Sequence, residues 1–375
     1  MTNATSLPSS RHPAPDTRDP APAPLDYTCD ELMAEHRYAT RLRWRDRLFH
    51  GGLDADGRYL PPRSLNRPRA IAAWTAELAR HGRPPRVVTF EDLDLQFFPT
   101  AAQAKLLLRH GAKGAMTRIL TLIGITEGFG NDGIRALPRP PLQPYFKESI
   151  AHTCLDHLDK GLLDAHGNDE AGRGNEAGHD AMWYAIRDAA LEDPPITPDM
   201  FENLPIAPPP GYSGPAKPAP EAIGVAPPVL LFPMLPPMIE VLLGVFTQLL
   251  VIELVAYGTF AWAREVLSDP ACSAAPEFAP RMVEYIQRDE DLHVGYLQCA
   301  LAETRCRTLL GAGGVEVAGA EVIDAIRDRI LANQKGSRRD RMLSYRMNQI
   351  RGELAAHPRG DAILREFATL GPVPQ

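Results

Sequence analysis

The sequence predicts a mostly α-helical protein built on a four-helix bundle with additional N- and C-terminal helices. Three observations predict it. Apolar residues recur at three- and four-residue spacing through several long stretches, the pattern of helices with a buried face. These stretches come as two helices, a proline-dense crossover over 194–228, and two more helices. No strand-rich region and no repeat of solenoid period interrupts them.

Residues 1–26, "MTNATSLPSSRHPAPDTRDPAPAPLD", are rich in Pro, Ala and Ser and have no apolar stretch, so the expectation is a disordered lead-in without a secretion signal. Residues 27–50 and 69–81 read as helices, and "PRVVTFEDLDLQFFP" as the place of a short strand. From Thr100 to about Glu127 the apolar spacing is helical and stops at "GFGNDG". The next helix runs through "FKESIAHTCLDHLDKGLLDA" and is broken by "HGNDEAGRG"; its partner resumes in "NEAGHDAMWYAIRDAALE" and ends at Pro194 and Pro195.

The connector 194–228 is too rich in proline for regular helix. Residues 237–263 then form a long apolar helix, exceeding the roughly 20 residues that span a bilayer. Glu253 in its middle would be costly in hydrocarbon, so the expectation is a helix buried on all sides of a soluble protein. A helix over about 279–309 follows, then terminal helices that include "EVIDAIRDRILANQ" and the basic "RRDRMLSYRMNQIRGELAAH". The chain thus divides into a tail (1–26), a main domain with an N-terminal helical extension (27–315) and a C-terminal helical extension (316–375).

Of 375 residues, 44% are hydrophobic and 23% charged, ample for a substantial core. A net charge of −7 argues against a general nucleic-acid partner. Five cysteines, an odd number without a close pair, argue against a disulfide framework or a zinc knuckle and point to a reducing, cytoplasmic setting.

Glu-x-x-His occurs twice, at Glu176–His179 and Glu290–His293. On a helix, residues three apart share a face, so a carboxylate and an imidazole can hold one ion. Two such pairs on facing helices, with a glutamate from each remaining helix, hold two ions. Oxygen and imidazole donors suit iron or manganese, and no cysteine lies near enough for a thiolate site. Glu253, flanked by "LLVI" and "LVAY", is the natural third-helix ligand, because a buried carboxylate is costly unless paired or metal-bound. For the first helix the choice is Glu148, with His152 and Asp156 as additional or alternative ligands and Glu127 as a more distant candidate. Trp183 lies four after His179 and Tyr257 four after Glu253, which makes each a core aromatic or a pocket or redox residue. The basic run Arg338, Arg339, Arg341, Arg346 and Arg351 reads as a solvated face or a surface for an acidic carrier.

The stretch "RDEDLH" resembles the Asp-Glu-x-x-His signature of the ferritin-like di-iron carboxylate superfamily. That group includes the small subunit of class I ribonucleotide reductase, bacterial multicomponent monooxygenase hydroxylases and acyl-carrier-protein desaturases. The resemblance covers roughly residues 144–300 through motifs and helix order. It implies that Glu290 and His293 are ligands and that Asp289 hydrogen-bonds a ligand histidine. The other pair departs from the pattern, because Asn175 precedes Glu176 and Gly172, Gly174 and Gly178 surround it. What the resemblance implies is an O₂-activating oxygenase or oxidase with two iron ions, or manganese with iron. It implies a small-molecule substrate and an external electron donor such as a reductase or ferredoxin; hydroxylation, N-oxygenation, desaturation and oxidative cleavage all stay open. A homodimer is compatible with it, and neither a membrane nor a nucleic acid is expected. The alternatives are a ferroxidase, a radical-generating di-metal protein and a metal-free helical binding protein.

Overall fold

A computed structural model describes residues 25–135, 137–197, 230–334 and 337–374, and these are mostly helical. The expected disordered tail and most of the proline-dense crossover lie outside the described residues.

The N-terminal segment departs from the sequence reading. Only Cys29–Leu32 (α1) is helical before residue 67, capped by Thr28 and Glu31, whose side chains each accept from the other's N–H. Thr40–Trp44 (β1), Arg47–Leu53 (β2) and Tyr59–Leu60 (β3) form an antiparallel meander in which Thr40 faces Leu53 and Trp44 faces Arg47. The stretch "TRLRW" alternates polar and apolar residues, which suits a strand with one buried face, and Arg45–Asp46 make the turn.

Arg67–Arg80 (α2) follows. Residues 85–99 run as irregular chain with one helical turn over Phe90–Asp92, not as a strand. The Gln298 amide accepts from Val87 N–H at 2.7 Å and donates to Val88 O at 2.5 Å, so a side chain satisfies backbone groups that a neighbouring strand would otherwise pair. Ala101–Arg109 (α3) and Lys113–Arg135 (α4) are separate helices, parted at Gly111 with φ +78°. The α4 backbone stays helical through "GFGNDG" despite the poor helix propensity of glycine.

Residues 146–162 are not the regular helix that their apolar spacing predicts. His152 (φ +64°) and Gly161 (φ +122°) take left-handed or more open conformations, and the buried Glu303 carboxylate accepts the N–H groups of Cys154 and Leu155. Helix resumes as Leu163–Ala171 (α5), which includes most of the supposed breaker "HGNDEAGRG". His179–Leu191 (α6) begins four residues later than "NEAGHD" suggests.

Pro237–Leu267 (α7) and Phe278–Arg305 (α8) are the two long helices, packed along each other. Long and apolar enough to cross a membrane, α7 nonetheless has 56% of its most apolar window buried inside the protein. It is not buried on all sides as expected: Met238 and Val241, in its first turns, are exposed among the described residues. A hairpin, Thr308–Leu310 (β4) with Glu316–Ala318 (β5), leads into Gly319–Gln334 (α9), Ser337–Ala355 (α10) and Gly360–Thr369 (α11).

Two apolar cores meet part-way along α7 and α8. One contains α7 from Ile239 to Leu254 and α8 from Leu292 to Ala302; the other contains α7 from Phe260 and α8 up to Ile286. Glu253, Asp289, Glu290 and His293 occupy the junction, a polar layer between two dry ones.

Candidate metal centre

Five helices bring carboxylates and imidazoles into this layer. Glu127 comes from α4, His166 and Glu170 from α5, His179 from the first turn of α6, Glu253 from α7, and Glu290 with His293 from α8. All but the partly buried Glu127 are buried.

Glu170 sits at the centre. Its Oε1 lies 3.5 Å from His166 Nε2, 3.5 Å from His179 Nδ1 and 3.4 Å from His293 Nδ1. Glu290 spans the same gap, with Oε1 2.9 Å from His179 Nδ1 and Oε2 2.5 Å from His293 Nδ1. Glu253 Oε1 is 3.0 Å from His166 Nε2.

Each imidazole is held from behind. His179 Nε2 donates to Asp289 at 3.1 Å, His293 Nε2 donates to Asp169 at 3.0 Å, and His166 Nδ1 pairs with the Tyr296 hydroxyl at 2.8 Å. A proton fixed on the outer nitrogen means that the inner one, once its own proton is lost, presents a lone pair to the centre. Asp169 is itself gripped by Arg63 and Arg67: Arg63 Nε donates to Oδ1 at 2.9 Å and Arg67 Nη2 to Oδ2 at 2.8 Å. Asp289 also accepts the Tyr59 hydroxyl at 2.9 Å, and Tyr59 stacks on Tyr285.

The inward atoms face one another in close ion-pair contacts, yet several make no hydrogen bond of normal geometry. His166 Nε2, His179 Nδ1, Glu290 Oε1 and both oxygens of Glu170 are buried without a hydrogen bond of normal geometry among the described residues. Buried polar atoms seldom go unpaired unless something else binds them.

The electrostatics agree. Burial, then repulsion from neighbouring carboxylates, pushes Glu127 and Glu253 well above the usual range. Burial opposes protonation of His179 and His293, but Glu290 and the nearby carboxylates outweigh it, raising His179 far above its ordinary value and His293 to about 9. Glu290, despite its burial, is driven well below its usual value by His293 and His179. The centre therefore draws in positive charge, as protons or as cations. Four glutamates match the charge of two divalent ions, and three imidazoles with four carboxylates are a donor set for iron or manganese.

His179, Glu253, Glu290 and His293 meet here with Asp289, whereas Glu148, Glu176, His152 and Asp156 lie elsewhere. Glu148 is on the surface, accepting from the N–H and hydroxyl of Thr308 at 2.7 and 3.0 Å. His152 is exposed and pairs with Asp26; Asp156 pairs with Lys160. These three belong to the irregular segment before α5, where helical spacing does not apply. Glu176 pairs with Arg41, because it lies in the extended loop between α5 and α6 and shares no helical face with His179.

That loop explains the glycines. At Gly172 (φ +80°) a Cβ would fall 2.2 Å from Glu176 O, and at Gly178 one would fall 2.4 Å from Gly172 N. Only glycine lets the chain fold back this tightly and set His179 against the end of α5. β2 holds the loop from outside, with His50 N–H donating to Ala177 O at 3.0 Å and Ala177 N–H to Leu48 O at 2.9 Å.

Sequence reasoning missed Glu170 and His166 and ranked Glu127 low. One signal was present: Asp169-Glu170 repeats the Asp-Glu pair of 289–290. Trp183 is fully buried and donates its indole N–H to Glu127 at 3.2 Å, while the Tyr257 hydroxyl pairs with Asp291. No family model, no curated protein and no solved structure matches this chain.

Proposed function

We propose that the chain is a ferritin-like helical bundle protein that holds two iron ions and uses O₂ to oxidise a small-molecule substrate, with electrons from an external donor. One observation carries the reading: a single carboxylate, Glu170, faces the inner nitrogens of three histidines, and inward atoms of Glu170, Glu290, His166 and His179 are buried without a hydrogen bond of normal geometry. Such a set is costly to bury and gains its stability from cations.

Bound iron would supply the O₂ activation. The chain's own residues prepare for it. Asp289, Asp169 and Tyr296 fix the histidine outer nitrogens, so the inner ones face the ions without rearrangement. Glu170 faces histidines of both halves, and Glu290 lies against both His179 and His293, so these two carboxylates would be shared by the ions. His179 and His293 would have to give up protons to hold ions, so affinity would fall as pH falls. The apolar layers on either side, led by Leu254, Leu292, Phe260 and Ile286, screen the centre from bulk water.

The test is iron content after expression in iron-supplemented cells, followed by O₂ uptake by the reduced protein. Wild type is expected to carry about two irons per chain, and Glu170→Ala and Glu290→Ala to lose them. Well under one iron per chain, unchanged by either substitution, would defeat the reading.

A further inference from the structure

The seven inward donors divide unevenly. His166, Glu170, Glu253 and His293 each place a ligand atom within 4.8 Å of the others, and so do Glu127, Glu170, His179 and Glu290. Glu170 belongs to both groups. The first group therefore offers two imidazoles and two carboxylates, the second one imidazole and three carboxylates.

The groups are also backed differently, in each case by residues 50–67. Behind His293 stands Asp169, held by the buried guanidinium groups of Arg63 and Arg67. Behind His179 stands Asp289, which accepts the Tyr59 hydroxyl and lies 3.3 Å from the buried His50 ring. One supporting carboxylate is thus locked by two cations, the other by a hydroxyl beside an imidazole.

Imidazole donors favour ions late in the Irving–Williams order, while carboxylate-rich sets suit Mn²⁺. Hydrogen-bonded carboxylates behind ligand histidines set ring orientation and basicity, and losing one weakens metal binding about 10–100-fold. Resting on the two-ion reading above, we propose that the two positions are inequivalent and fill in order. The position of His166 and His293 is the tighter one and selects cobalt or iron over manganese. The position of His179 and Glu127 is weaker and accepts Mn²⁺. Asp169 and Asp289 are positioning residues serving one position each.

The experiment is an anaerobic titration of the full-length, metal-depleted protein with Co²⁺ alone, read by visible absorption and equilibrium dialysis. A second dialysis against one equivalent of Co²⁺ per chain with Mn²⁺ in large excess follows, because any nitrogen–oxygen site prefers cobalt when both ions are plentiful. Wild type should show two resolved classes of site, and the mixture should leave one cobalt and one manganese per chain. His166→Gln should remove or weaken the tight class about 10-fold or more and leave the weak class where it was; Asp289→Asn should do the reverse. Asp169→Asn should repeat the His166→Gln result, but it takes the nearest anion from two buried guanidiniums, so His166→Gln decides if that variant does not fold. Loss of one class with the other unmoved is a readout that general destabilisation does not give. Two classes of equal affinity, or equal weakening of both by His166→Gln and by Asp289→Asn, overturn the proposal and leave the two-ion reading standing. A wild-type chain that binds no Co²⁺ overturns both.

Discussion

Asp169 makes a prediction that needs no metal. It is fully buried, and its two oxygens take the charge-assisted hydrogen bonds of Arg63 and Arg67 as well as that of His293. Burial alone would raise its pKa, but the two guanidiniums hold it well below the usual carboxylate range. Asp169→Ala leaves the buried Arg67 without its anion and Arg63 with only the more distant Glu35, 3.6 Å away, and stranding a buried charge costs about 3–5 kcal/mol. Arg67→Met is milder, because Asp169 keeps Arg63 and His293. What is lost is one hydrogen bond to the carboxylate and those to Arg63 O and Pro62 O, both at 2.7 Å, for about 1.5–3 kcal/mol. In the double variant only one guanidinium loses its nearest anion, so it should fall short of the sum of the two losses by about 0.5–3 kcal/mol. Urea denaturation of the metal-depleted proteins measures all three, and chelation keeps ion binding out of the comparison. A loss below about 1 kcal/mol for Asp169→Ala, or strict additivity in the cycle, would refute the argument that these charges are held in place by one another.

His157 is buried between Tyr27 N–H, which donates to Nε2 at 3.0 Å, and Thr153 O, which accepts from Nδ1 at 2.6 Å, so the fold selects the neutral ring. Burial depresses its pKa, hence its contribution is present above the unfolded value of about 6.5 and is lost as pH falls below it. The melting temperature of wild type should drop more between pH 7.5 and 5.5 than that of His157→Gln; equal slopes would exclude this ring as a source of acid sensitivity. Glu148→Ala should leave the metal content of the purified protein unchanged, since its carboxylate binds Thr308 at the surface, and loss of metal would return Glu148 to the ligand set. Gly178→Ala puts a methyl group 2.4 Å from Gly172 N and 2.6 Å from Asp169 O. It should cost about 1–3 kcal/mol in denaturation and lower ion content by displacing His179; wild-type ion content would show that the loop is not what sets that histidine.

Sequence periodicity identified α7 and α8 because each is long, and averaging over many turns makes a helical pattern unmistakable. It failed where a few apolar residues coincide with helical spacing by chance. Leu42, Trp44, Leu48 and Phe49 fit a helix as spaced letters, yet Leu42 and Trp44 alternate with arginines and lie on one face of a strand. Ile150, Cys154, Leu158 and Leu162 pack into the core from turns whose shape is set by Glu303 and Gly161, residues remote from any local pattern.

The same distinction decides which ligands were legible. Glu290 and His293 lie three apart in the interior of a long helix, where that spacing does mean a shared face, and Glu253 is conspicuous as a lone charge in an apolar run. Glu176 and His179 have the same spacing on paper, but the glycines between Ala171 and His179 make an extended loop, and there the rule has no physical basis. His179 reaches the centre as the first residue of α6, delivered by the loop's tight return, and its partner is Glu170 from before the loop. Glu170 was hidden because "HGNDEAGRG" looks like a helix breaker; α5 survives it because packing against α4 and the Arg63–Asp169–Arg67 contact hold its last turn. The centre thus depends on residues 47–67 in two ways, through β2 pinning the loop before His179 and through the arginines anchoring the turn that carries Glu170. A chain shortened past residue 67 should therefore lose both halves of the ion site while keeping α7 and α8, the helices that first drew attention to it.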